Sequence, residues 1–220
     1  MLNFNGLQFH WTGHDGFRIV DSSNKKTICI DPFQLTKTEK SISDVDIVLI
    51  SHNHYDHLSL EDLRHLVKIH TSIISAHECI EQLKDLQAEY LKGLKPGEKI
   101  TVKGVLIEAV PAYNINKKFH PKQDEKIGFV ITLNGHRIYH AGDTDIIPEM
   151  QSINPDIALI PVSGTYVMTA QEAAKALNEI IKPKKLAVPM HYGSIVGSEN
   201  DAKTLRDLVK VCQVEIMQRE

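Results

Sequence analysis

The 220-residue, 24.8 kDa chain is 42% hydrophobic and 24% charged, enough to bury a sizeable core without covalent staples, and one domain over residues 1–220 is expected. Its net charge of −3 is mixed along the length with no basic arm, which argues against a nucleic-acid surface built on clustered Lys and Arg. No stretch approaches membrane-spanning length, the N-terminus lacks a cationic region followed by a long apolar run, and Cys29, Cys79 and Cys212 have no C-x-x-C spacing, so a cytoplasmic protein with free thiols and no membrane anchor is expected.

The first third reads as strands. "LQFHW" (7–11) and "GFRIV" (16–20) are apolar or alternating, "DSSNKK" is a turn, and "TICI" (27–30) ends at Asp31-Pro32. From residue 45 strands alternate with helices: the apolar strand "DIVLI" (46–50), a helix over 59–68 with Ser59 as N-cap, the strand "SIISA" (72–76) and a helix over 79–91. Strands return at "EKITV" (98–102), "VLIEAV" (105–110), "IGFVITL" (127–133) and "HRIYH" (136–140). The Asn134-Gly135 pair between the last two signals a tight type I′ hairpin. The rest alternates again: strand 156–162, a helix over 170–181 with a Thr169/Glu172 capping box, strand 185–190, a helix over 200–212 and strand 214–217. Strands, α/β, strands, α/β suggests two sheets packed face to face with helices outside.

The segment "ISHNHYDHLS" (50–59) places His52, His54, Asp56 and His57 just after the apolar run Ile47–Ile50. Imidazole nitrogens and a carboxylate gathered at a rigid strand end suit a divalent metal such as Zn²⁺. Asp143 in "YHAGDTD" and His191 in "VPMHYG" also follow apolar strands. Taken alone, Asp143 reads as a turn residue and His191 as an ordinary strand-end residue. Their shared placement with the first motif is what joins them to it.

These residues, with "IDPF", "SHNHYDHL", "YHAGDTD", "ALIPVSGTYVMTAQEAA" and "VPMHYG" in that order, resemble the metallo-β-lactamase-fold metal-dependent hydrolases, within them the short group related to L-ascorbate-6-phosphate lactonase. "SHNHYDHL" is also similar to the corresponding stretch of N-acylethanolamine phospholipase D enzymes. The resemblance implies a four-layer αββα sandwich and two divalent metal ions, zinc, with manganese or iron as alternatives. It makes His52 and His54 ligands of one metal, and Asp56, His57 and His191 ligands of the other. Asp143 would bridge them, and Asp31 would fix ligand orientation from behind. The third histidine expected for the first metal is missing near Tyr113-Asn114. His120, the only imidazole of its loop, is the replacement, and a weak or vacant position is the alternative.

The implied chemistry is attack by a hydroxide held between the metals on a small-molecule lactone or ester, with Asp56 orienting it and returning a proton to the leaving group. A phospholipase D-like phosphodiesterase and a metal-binding protein with little turnover remain alternatives. A homo-oligomer is left open. His65, His70 and His136 read as surface residues. His10, His14, His77 and His140, near strand ends, are candidates for supporting or substrate roles, as are Ser163, Thr165 and Tyr192 for substrate contact.

Overall fold

The computed structural model describes residues 1–219. One sheet orders β1 (Leu2–Phe4), β2 (Leu7–Gly13), β3 (Gly16–Asp21), β4 (Lys26–Ile30), β5 (Ile47–Ile50), β6 (Ser72–Ala76) and β7 (Tyr90–Leu94) as they occur in the chain. The second sheet is made of β8 (Lys99–Val102), β9 (Val105–Pro111), β10 (Ile127–Leu133), β11 (His136–His140), β12 (Ile157–Pro161), β13 (Leu186–Met190) and β14 (Gln213–Val214), again in sequential order. Each sheet begins as an antiparallel meander, β1–β4 and β8–β11, and ends as parallel strands, β4–β7 and β11–β14.

Burial follows that division. The parallel strands β5, β6, β12 and β13 are buried at every position, as strands covered on both faces must be, whereas β9 alternates buried and half-buried residues along most of its length. Helices α1 (Lys37–Lys40), α2 (Leu60–Leu66) and α3 (Ile80–Leu83) belong to the first half; α4 (Ala170–Lys175), continued by a π turn, and α5 (Glu199–Leu208) belong to the second. α4 packs on β12 and α5 on β13, giving the mixed α/β sandwich expected from the sequence. The sheets meet through the Phe17 and His140 rings, 6.1 Å apart, and through Asn134 Nδ2, which donates to the Asn5 carbonyl at 2.8 Å.

The Asn134-Gly135 hairpin forms as expected: both residues have positive φ, and Leu133 pairs with His136 across the turn. Two elements differ from the expectation. The helix over 79–91 stops at Leu83, and Tyr90–Leu94 is instead the edge strand β7, paired with β6. The last helix ends at Leu208, not residue 212, and only Gln213–Val214 of the final segment is strand. No helix among the described residues is long and apolar enough to cross a membrane.

Candidate metal centre

Every candidate ligand leaves the same rim, the carboxyl ends of the parallel strands and the turns beside them. His52, His54, Asp56 and His57 follow β5, Asp143 follows β11, and His191 follows β13. His120 arrives on the long β9–β10 loop. Two clusters result: His52, His54 and His120 form one, and Asp15, His57, Asp143 and His191 the other, with the ligating atoms of each within 4.8 Å of one another. Asp143 lies between them. Its Oδ2 is 3.7 Å from His120 Nε2 and 3.3 Å from His191 Nε2, and its Oδ1 is 3.4 Å from His57 Nε2.

The rings are held from behind. Asp31, fully buried, accepts hydrogen bonds from the Ser51 amide at 2.8 Å, the Ser51 hydroxyl at 2.5 Å and His57 Nδ1 at 2.9 Å. The Ser51 hydroxyl, spent as a donor on Asp31, accepts from His52 Nδ1 at 2.9 Å. Ser163 takes the same part for His191 Nδ1 at 2.9 Å, and the Asp143 carbonyl accepts from His120 Nδ1 at 3.2 Å. Each of these four rings therefore commits its Nδ1 proton outward and turns Nε2 inward, while His54 offers Nδ1, 3.0 Å from His120 Nε2. Ser163 thus supports a ring, and Tyr192 is buried against Trp11 with ring centroids 4.9 Å apart.

His120 is 2% exposed despite its lysine-rich loop. Tyr113 turns away and donates to Glu149 at 2.9 Å, and Asn114 donates its side-chain amide to the carbonyls of Phe119 and Tyr166. Asp56 stands at the margin: its Oδ2 accepts from His14 Nε2 at 3.1 Å and lies 3.9 Å from His57 Nε2. Asp15 belongs to the site without having been legible in the sequence, where "GHDG" reads as turn chemistry. His14, whose atoms also group with His57 and His191, had only its strand-end position to recommend it. His140 Nε2 donates to the Asp15 carbonyl at 2.8 Å, since a carbonyl offers only lone pairs, and so steadies that turn. His65, His70 and His77 are exposed, whereas His136 is half-buried against Phe4.

A model of the β-lactamase superfamily domain matches residues 8–191. The chain belongs to that family. It is 34% identical to a UPF0173 metal-dependent hydrolase of Pyrococcus abyssi, covering 92% of each chain, and 34% identical to another of Thermoplasma acidophilum, covering 86% of this chain and 84% of that one. A solved structure from Parabacteroides distasonis superposes with a TM-score of 0.80 at 31% identity, covering 97% of this chain and 94% of that one. A metallo hydrolase from Ignicoccus hospitalis gives a TM-score of 0.74 at 26% identity, covering 96% and 95%. The chain is thus one of the metal-dependent hydrolases of the metallo-β-lactamase superfamily.

Electrostatics in this superfamily member fit a cation. His52 Nε2, His57 Nε2, Asp143 Oδ1 and both Asp15 carboxylate oxygens are buried without a hydrogen-bond partner. Leaving such atoms unpaired costs about 1–3 kcal/mol each, so their convergence suits a divalent ion. Burial, aided by neighbouring imidazoles, keeps His52 well below the usual histidine range and pushes His120 down to about 4, so both rings are neutral donors at pH 7. Burial opposes a charge on His57 and His191, but Asp143 and the other nearby carboxylates outweigh it and raise them to about 10 and about 9. Burial likewise works against Asp143, yet the His191 and His57 rings hold its carboxyl well below the usual carboxylate range. Burial drives Asp15 well above that range, and Asp143 adds to the effect.

Proposed function

We propose that this chain is a di-metal hydrolase, with zinc the expected ion, that opens a small-molecule lactone or ester. The observation that carries the reading is Asp143, within 3.3–3.7 Å of ring nitrogens from both histidine clusters. A carboxylate so shared is what two adjacent cations need, and the donor set of imidazole nitrogens and carboxylate oxygens suits zinc, with manganese or iron as alternatives. His52, His54 and His120 would hold one ion; His57 and His191, with Asp56 or Asp15, would hold the other, and Asp143 both. Bound there, the ions would polarise an acyl oxygen and lower the pKa of the attacking water from 15.7 towards about 7.

The protein's own part is orientation and proton handling. Asp31 and Ser51 fix His52 and His57, and Ser163 fixes His191, so that the His52 nitrogen faces one cluster and those of His57 and His191 the other without searching rotamers. Asp56 lines the opening above Asp143, where it can orient the water and pass a proton to the leaving oxygen. Burial works against its charge, but the hydrogen bond from His14 and the nearby His57 keep its pKa below the usual value, so it is ready to accept that proton.

The test is to strip the protein with a chelator, reload it with zinc, manganese or ferrous iron, and assay a lactone, a carboxylic ester and a phosphodiester. Turnover of lactone or ester that saturates at two equivalents of metal is expected. Saturation at one equivalent, turnover of the phosphodiester alone, or no turnover would overturn the reading.

A further inference from the structure

The hollow over the two clusters has a floor of one chemistry and walls of another. His54, Asp56, His120 and Asp143 form its floor, while the rest of its lining is Tyr55, Phe119, Tyr166 and Ile195. These four side chains come from four different loops, those after β5, β9, β12 and β13. Each is a large hydrophobic residue left 39–67% exposed. Scattered exposed apolar residues are ordinary, but four converging on one concave opening are not.

Two of them are built in place. Phe119 and Tyr166 meet edge to face with ring centroids 5.3 Å apart. Tyr166 has φ of +68°, a backbone conformation that bulky side chains rarely adopt, and Asn114 Nδ2 holds its carbonyl at 2.6 Å. Tyr55, also in the lining, rests on Phe33, with centroids 5.8 Å apart.

No Lys or Arg lines the hollow among the described residues. Lys117 is engaged with Asp145, and Lys126 is turned to Glu78 and Asn53 at 2.7 and 3.2 Å. Lys118 lies 5.5 Å from the centroid of the Phe119 ring without joining the lining. A phosphate or carboxylate on the substrate's tail would find aromatic faces there and no cation among the lining residues. The space is about 260 Å³, just under the roughly 300–1,000 Å³ of drug-sized ligand pockets, which suits one ring or a short chain.

We propose that the substrate of this site carries a neutral, apolar tail of one aromatic ring or a few methylenes, gripped between the Phe119–Tyr166 pair and Tyr55 with Ile195, its hydrolysable carbonyl resting over Asp143. The proposal rests on the hydrolase reading, and names the substrate class that reading leaves open. It excludes esters and lactones bearing a phosphate or carboxylate tail as good substrates.

Hydroxamates test it without depending on turnover, because their metal-chelating head is constant while the tail varies. Acetohydroxamate, butyrohydroxamate, benzohydroxamate and the charged-tail succinic monohydroxamate are titrated into zinc-loaded protein by calorimetry. A buried methylene adds about fourfold in affinity, so butyrohydroxamate should bind about tenfold or more tightly than acetohydroxamate, benzohydroxamate at least as well, and the succinic compound should lose that gain. Phe119→Ala and Tyr166→Ala should each flatten the gradient with zinc content unchanged. A flat gradient in the wild type, a gradient that both variants preserve, or a charged tail that binds as tightly as the apolar one of similar length would overturn the proposal. Failure of every ester and lactone to turn over would instead remove the hydrolase reading, so the two outcomes stay distinct.

Discussion

Replacing Asp31 with asparagine should weaken both metal positions from behind, although Asp31 reaches neither cluster's inward nitrogens. Its Oδ2 accepts from the Ser51 hydroxyl and from His57 Nδ1. A carboxylate can only accept, so it sets the proton on His57 Nδ1 and, through the Ser51 hydroxyl, on His52 Nδ1. In the Asp31→Asn variant an NH₂ group standing at Oδ2 faces an N–H of His57 and pushes that ring toward the opposite tautomer. The Ser51 hydroxyl, now free to donate elsewhere, allows the same reversal at His52. Loss of such supporting bonds costs metal affinity about 10–100-fold, or about 1.4–2.8 kcal/mol. Folding should survive, because asparagine tolerates the left-handed backbone of this residue, at φ of +42°. Asp31→Ala adds about 1–2 kcal/mol of backbone strain to the lost bonds and should melt lower. Zinc affinity is read by competition with a chromophoric chelator, and stability by thermal unfolding. Wild-type affinity for both ions in a folded Asp31→Asn protein would refute the reasoning.

Metal uptake should release protons. His57 and His191, raised to about 10 and about 9, are protonated at pH 7 in the metal-free protein and must each lose a proton to bind an ion. Affinity at their cluster should therefore climb by up to about 100-fold per pH unit from pH 7 and level off as pH passes first about 9 and then about 10; calorimetry in buffers of differing ionisation enthalpy counts the protons, and release of none would contradict these charge states. His120→Ala should lose the ion held with His52 and His54, whereas Tyr113→Phe, which removes only the hydroxyl bonded to Glu149, should keep metal content at the wild-type level by elemental analysis. Likewise His57→Ala should lose far more metal and activity than His65→Ala, an exposed position on α2. Gly128→Ala should destabilise by about 2–3 kcal/mol, because a Cβ there would stand 2.6 Å from the carbonyl oxygens of both His140 and Ala141 and force β10 off β11; an unchanged melting temperature would contradict this.

The site was legible in the sequence where a ligand ends an apolar strand. His52, His54 and His57 after β5 and His191 after β13 carry that mark most clearly, because fully buried parallel strands read as unbroken apolar runs, while Asp143 follows β11, whose first two residues are only half-buried. His120 stood out only as the single imidazole of its loop. Asp15 could not stand out, since a residue between two glycines in a strand-to-strand turn looks like turn chemistry, and only the sheet packing brings it among His57, Asp143 and His191. The apolar walls of the hollow were invisible for the same reason: Tyr55, Phe119, Tyr166 and Ile195 are 29 or more residues apart in the chain and meet only when both sheets are folded. The fold was legible where periodicity was clean and failed at β7. "EQLKDLQAEYLKGL" is rich in helix formers, yet hydrogen bonding to β6 makes an edge strand of its second half. In the fold Tyr90–Gly93 alternate exposed and half-buried and Leu94 is buried, as on an edge strand.

A crystal structure of the zinc-loaded protein, with anomalous scattering measured on both sides of the zinc edge, tests the two-ion centre most directly. Two zinc peaks joined by Asp143 are expected, one touching the rings of His52, His54 and His120 and the other those of His57 and His191. A single peak, or a first ion bound with the His120 ring swung away from it, would contradict that centre.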